Sequence, residues 1–379
     1  MRPHGIRSGW RTATRGRLVL EDGAVFPGIS FGVEEGAAGE TVFTTGMVGY
    51  PEALTDPSYR GQILTFTYPS IGNYGVPAWS EPHANPSRSD GVGEPIPRPR
   101  ESERIQAAGL ICSTYSEEFS HHTAEMSLGS WLMEQRIPAL TGVDTRALTR
   151  RIRIHGALLG RIEIDGRPVP RVSDPNRRNL VAEVSTRQVL RFGRRGLPLT
   201  MIDCGRKNNQ VRMLVERGAQ VTVIPWDSDV RRVPRDCAGV IVSNGPGDPR
   251  MVASTVETVR ALMRRRVPIL GICLGHQILA LAAGASTYKM KFGHRSHNQP
   301  CVETGTARCY QTSQNHGFSV DGRSLPRGWT EWFVNANDGS NEGIRHRSGL
   351  WRSVQFHPEA APGPGGTTWI LDQFLEAIR

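Results

Sequence analysis

The chain has 379 residues, enough for two domains that each bury a core, and its 22% charged and 38% hydrophobic residues are ordinary for a soluble globular protein. No run approaches the roughly 18 apolar residues of a membrane span, and the six cysteines show no CxxC pairs, which excludes a disulfide framework or zinc ribbon and fits a reducing cytoplasm. The net charge of +10 sits in two stretches, five arginines without an acid at 1–17 and seven arginines against Asp174 and Glu183 at 170–199, so the remainder is neutral and no nucleic-acid partner is expected.

Residues 1–16 are Arg-rich without an apolar face and are expected to be a disordered tail rather than a transit peptide. The first domain is placed at 17–165. Within it, residues 18–76 alternate Val/Ile/Phe/Thr-rich runs with Gly, Pro and Asp turns, which predicts a small β-rich unit. A Pro-, Ser- and Gly-rich insertion follows at 78–103, and 121–160 read as helical. The Arg- and Pro-rich stretch 166–197 is expected to be a linker. From 198 to 379 the texture changes. Apolar runs at 199–202, 220–225, 239–242 and 268–272 alternate with helical patterns at 209–217 and 254–265, which predicts a parallel α/β sheet built from right-handed βαβ units. A Gly/Pro cluster at 360–366 precedes a terminal helix from about residue 368.

Gly-Ile-Cys-Leu-Gly at 271–275 joins a buried strand to an amphipathic helix. Small residues two positions either side of Cys273 permit the sharp turn of a nucleophile elbow, and the helix N-terminus favours a thiolate. An isolated cysteine of this kind is usually a small core hydrophobe, as we read Cys112, Cys204 and Cys237; the strand, turn and helix around Cys273 reverse that reading. A thiolate needs a base and the base an orienting acceptor. His357 and Glu359, two apart on an extended segment, share a face and suit those roles. The glycine-rich loop 243–249 follows a predicted strand, so it belongs at the carboxyl edge of the sheet. There Gly245 and the N–H of Leu274 would form an oxyanion hole. His294, His297 and Cys301 have metal-like spacing, but no second cluster supplies further ligands, and no metal is expected.

Ser-Asn-Gly-Pro-Gly-Asp-Pro at 243–249, Gly-Ile-Cys-Leu-Gly-His-Gln at 271–277 and Phe-His-Pro-Glu at 356–359 together resemble the three ordered motifs of the class I, or triad, glutamine amidotransferases. The segments 42–52, 54–59, 68–75 and 144–150 look like the small subunit of carbamoyl phosphate synthetase. The resemblance implies an α/β fold in which a parallel-sheet class I amidotransferase domain follows a smaller β-rich α+β domain. It also implies hydrolysis of L-glutamine through a thioester on Cys273, with His357 as acid/base and Glu359 as its orienter. The glutamine contacts it implies are Gly46, Gly245, Gly247, Leu274, Gln277, Asn315, Gly317 and Phe318. Gly46 stands where a serine is often found, and the run 295–297 replaces a more usual His-Gly-Gly. The ammonia would pass to a large subunit that uses ATP and Mg to make carbamoyl phosphate from bicarbonate, for arginine biosynthesis, pyrimidine biosynthesis or both. No cofactor is expected in this chain. The competing readings are an amidotransferase serving another synthetase and a non-catalytic glutamine-binding scaffold; glutamate release on incubation with glutamine separates the scaffold from the enzymes.

Overall fold

The structure is a computed structural model and describes residues 14–78 and 100–379. The expected tail lies outside the described residues up to Ala13, as does the insertion from 79 to 99. Arg15 and Gly16, assigned to the tail from sequence, instead open the first strand. The reason is alternation: Gly16 and Leu18 face inward, and a Cβ on Gly16 would stand 2.8 Å from the Glu163 carbonyl oxygen.

The N-terminal body runs β1 (Arg15–Leu20), β2 (Val25–Ser30), β3 (Ala37–Thr44), α1 (Tyr50–Thr55), β4 (Gln62–Phe66), β5 (Val76–Pro77), β6 (Gly109–Cys112), β7 (Ala124–Met126), α2 (Leu128–Glu134), β8 (Ala139–Thr141), α3 (Thr145–His155) and β9 (Leu158–Ile164). Seven of these strands close a barrel in the order β1-β2-β8-β6-β4-β3-β9, so no edge of that sheet is left unpaired. Leu18, Ile63, Ile111, Leu140 and Ile162 fill it, and Leu148 and Ile152 of α3 pack onto the same core. The stretch 121–160, read as helical, holds α2 and α3 but also β7, β8 and the start of β9. There the local helical pattern yields to pairing with β5, β6 and β1.

The expected linker also carries structure. It contains α4 (Val181–Val184) and β10 (Leu190–Phe192), which pairs antiparallel with the edge of the large sheet and buries Phe192. The C-terminal body follows with β11 (Leu197–Asp203), α5 (Asn208–Glu216), β12 (Ala219–Pro225), β13 (Gly239–Val242), α6 (Ala253–Arg264), β14 (Ile269–Ile272) and α7 (Leu274–Ala283). It ends with β15 (Thr287–Glu303), β16 (Cys309–Val320), β17 (Trp329–Asn335), β18 (Asn341–His346), β19 (Trp351–Val354) and α8 (Trp369–Ala377). The ten-stranded sheet has the order β10-β12-β11-β13-β14-β19-β18-β17-β15-β16, with β12, β11, β13, β14 and β19 parallel. Helices α6 and α7 cover one face and α5 and α8 the other, which is why the central strands are apolar on both sides. Strand β15 reaches back to the barrel: Ala157 N donates to Lys291 O at 2.8 Å and Thr45 N to Arg295 O at 3.2 Å. No helix of the described residues is long and apolar enough to cross a membrane.

Candidate active site

Strand β14 ends at Ile272 and α7 begins at Leu274, leaving Cys273 at the turn with φ 54° and ψ −105°. An L-residue rarely adopts that backbone, at a cost of about 1–3 kcal/mol. The turn survives because its neighbours lack side chains. A Cβ on Gly271 would stand 2.4 Å from the Gly275 carbonyl oxygen, and one on Gly275 would stand 2.0 Å from the Val242 carbonyl oxygen. The Cys273 N–H is held by Val354 O at 2.9 Å, and its sulfur lies 3.7 Å from Asn315 O. Among the described residues the N–H groups of Gly245 and Leu274 have no hydrogen-bond acceptor, so both can receive a developing oxyanion.

The segment after β19 carries the base. His357 N donates to Ser313 O at 2.9 Å, which fixes the backbone, and His357 Nδ1 lies 2.7 Å from Glu359 Oε1. His357 Nε2 is buried without a nitrogen or oxygen partner, and Cys273 acts on it electrostatically. Burial alone would lower the imidazole pKa, but the Glu359 carboxylate and Cys273 outweigh it and hold the pKa up, at about 10. Burial likewise works against the Glu359 anion, yet His357 and Lys207 bring it down to about 2. Glu359 is further held by Gln210 Nε2 at 3.1 Å and by Lys207 Nζ at 3.6 Å, and Lys207 also donates to the Ala360 carbonyl. The three triad residues are each 2% exposed or less. A buried nucleophile, a base and an orienter are therefore assembled, which is the arrangement that acyl transfer through a thioester requires.

A cavity opens over the sulfur. Of the residues expected at the substrate, Gly245, Gly247, Leu274, Gln277, Asn315, Gly317 and Phe318 all line it. Gly46 does not. It backs onto His297, whose ring would lie 2.5 Å from a Cβ at that position. Gln277 is fixed by donating to Phe318 O at 2.8 Å and Gln355 Oε1 at 3.0 Å, while Asn315 Nδ2 donates to Asp56 Oδ2 of the N-terminal body at 2.9 Å. Sequence reading missed the charged wall of this cavity, made by Glu40, Lys289 and Arg295, and it missed Lys207 and Gln210 behind Glu359. One signal was available: the chain has three lysines, and two of them stand here.

His297 and Cys301 do not converge on His294. His294 instead bridges Glu342 at 3.2 Å and Asp338 at 2.9 Å, with the His316 ring edge-on at 5.1 Å. His294, His316 and Glu342 bring ligand-type atoms within 4.8 Å of one another. The ring nitrogens of both histidines are nevertheless engaged in hydrogen bonds, those of His316 with Phe318 O at 2.8 Å and Gln314 Oε1 at 3.0 Å. Burial would lower the His294 pKa, but the two carboxylates raise it to about 9.

Residues 18–162 match the family model described as carbamoyl-phosphate synthase small chain, CPSase domain, and residues 200–377 match glutamine amidotransferase class-I. The chain is 45% identical over 381 residues to the carbamoyl phosphate synthase arginine-specific small chain of Aspergillus oryzae, covering 99% of this chain and 82% of the relative. It is 48% identical to the multifunctional protein pyrABCN of Emericella nidulans over 96% of this chain, and it spans only 17% of that relative's length. A solved structure of a glutamine amidotransferase from Thermotoga maritima is 20% identical with a TM-score of 0.37, covering 48% of this chain and 83% of its own.

Proposed function

The chain belongs to the carbamoyl phosphate synthase small-chain family, and from that premise we propose that it hydrolyses L-glutamine at Cys273 and supplies the ammonia to a large partner subunit that makes carbamoyl phosphate. The observation that carries the reading is the strained Cys273 turn beside the His357–Glu359 pair.

His357 takes the thiol proton as Cys273 sulfur bonds to the side-chain amide carbon of glutamine. The N–H groups of Gly245 and Leu274 receive the oxyanion. Collapse breaks the C–N bond, and His357 returns the proton to the departing nitrogen, which leaves as ammonia. Water, deprotonated by the same imidazole, then splits the thioester to glutamate and restores the thiol. Glu359 holds the imidazole in one tautomer throughout, and Lys207 and Gln210 hold Glu359. None of these steps calls for a cofactor in this chain; ATP and Mg would enter with the partner. A cytoplasmic setting suits the free thiol, and the ammonia would serve arginine or pyrimidine synthesis. Glutamate release by the chain with its large subunit, compared with Cys273→Ser, tests the reading. Equal release from both would overturn it.

A further inference from the structure

We propose that Arg295 is the receptor for the substrate's α-carboxylate, a specificity-determining residue of the cavity over Cys273. The inference deepens the reading of this chain as a glutaminase and rests on it.

Arg295 lies on β15 opposite Asn315, is 5% exposed, and lines the cavity beside Gly317, where a Cβ would stand 3.2 Å from Arg295 Nη2. Its planar fork has five N–H donors. The hydrogen bond it makes within the chain is from Nη1 to Phe292 O at 2.7 Å, while Nε is buried and has no protein partner. Among the described residues no carboxylate pairs with it. Glu40, Tyr59 and Cys273 favour its charge, but the one carboxylate among them, Glu40, is already engaged: Lys289 Nζ lies 2.7 Å from Oε1, Gln62 Nε2 donates to Oε2 at 2.9 Å and Asn176 Nδ2 to Oε1 at 3.1 Å. Burial lowers the Arg295 pKa but leaves a guanidinium charged.

A buried cation with no directly paired carboxylate is costly, and such groups persist where a ligand completes them. Glutamine carries a carboxylate a few bonds from the amide that must reach Cys273. A planar fork is suited to a carboxylate, which it binds with two parallel hydrogen bonds. Lys289, the other cation of the cavity wall, is already drawn to Glu40 and so competes less for that carboxylate.

The test uses the full chain in complex with its large subunit, comparing wild type, Arg295→Met and Arg295→Lys for kcat and KM with glutamine and for thermal midpoint. Charge-assisted hydrogen bonds of this kind predict a KM raised roughly 10- to 100-fold in Arg295→Met. The kcat should change far less, Arg295→Lys should recover part of the loss, and the midpoint should not fall, because an unpaired buried charge has been removed. Competitive inhibition by 4-aminobutanamide, which is glutamine without its carboxylate, should be the same in Arg295→Met as in wild type. An unchanged KM in both variants would overturn the proposal. So would kcat and midpoint falling together, or 4-aminobutanamide weakening as much as glutamine, since those mark a structural role. Absence of glutamate from the wild-type complex itself would instead bring down the glutaminase reading, and this inference with it.

Discussion

Cys273 occupies its unusual backbone only while nothing fills the space around Gly271 and Gly275. Gly275→Ala places a methyl group against the Val242 carbonyl oxygen, so the elbow must open or the strand must move. We expect a loss of roughly 2–4 kcal/mol in denaturant unfolding together with most glutaminase activity; a variant of wild-type stability and activity would show the turn to be tolerant. Beside the elbow, the base and its orienter carry unequal loads. His357→Asn removes the proton acceptor and should lower turnover by several powers of ten, on the order of 10³ or more. Glu359→Gln keeps an acceptor for Nδ1 and the bond from Gln210, so its loss in kcat should be smaller by at least about tenfold. Indistinguishable, small effects in the two variants would remove the triad. The elbow and the His-x-Glu pair were legible in the sequence because each is local, a few residues whose spacing fixes their geometry. Arg295 and Glu40 were not, since they are separated by 255 positions and meet only because β15 crosses to the barrel.

Strand β15 is the element on which both bodies converge, and His294 ties it to Asp338 in the loop before β18 and to Glu342 of β18 itself. The folded-state pKa of His294 is raised above its ordinary value, so the stability it contributes is fully present below about 6.5 and lost as pH rises through about 9. Asp338 is shifted in the opposite direction by the same contact, and its contribution is lost only in acid, outside that window. We therefore expect wild type to lose about 2 kcal/mol relative to His294→Gln between pH 6 and pH 9, after allowing for the half-exposed Asp338. Urea unfolding of both chains at the two pH values reads the difference directly, and parallel losses would show that the imidazole carries no charge-dependent stability. The parallel strands β11 to β14 and helices α5 and α6 were readable to within two residues, because strands buried on both faces and amphipathic crossovers leave strong patterns. The barrel closure was not readable. It depends on β9 pairing with both β1 and β3, and on β8 lying between β2 and β6, which no local pattern encodes. For the same reason β10, in which only Phe192 is buried, was hidden in an Arg-rich stretch.

The two bodies meet at the chemistry. Asn244 of the oxyanion loop donates to Ser58 Oγ at 3.0 Å, Asn315 donates to Asp56, and Arg212 of α5 pairs with Glu101 at 2.7 Å. Glu40, Ser58 and Gln62 of the N-terminal body form part of the cavity wall. A partner docked on that body can therefore shift the glycine loop and Asn315 by moving the segment around Asp56, without touching the triad. Ammonia is useful only when an acceptor is present, so the chain alone should hydrolyse glutamine slowly and accelerate when ATP, bicarbonate and the large subunit are added. By reciprocity of coupled binding, glutamine should then tighten the hold on the partner. Asp56→Ala cuts the link through Asn315 and should remove most of that acceleration while leaving the slow basal rate nearly intact. In the same reconstituted complex Cys273→Ser should abolish carbamoyl phosphate synthesis from glutamine yet retain synthesis from added ammonia, because the fold and the docking surface are unchanged while the sulfur nucleophile is gone. Loss of the ammonia-dependent reaction as well would mean that this chain does more for its partner than release nitrogen, and synthesis from glutamine at the wild-type rate would mean that Cys273 is not the nucleophile.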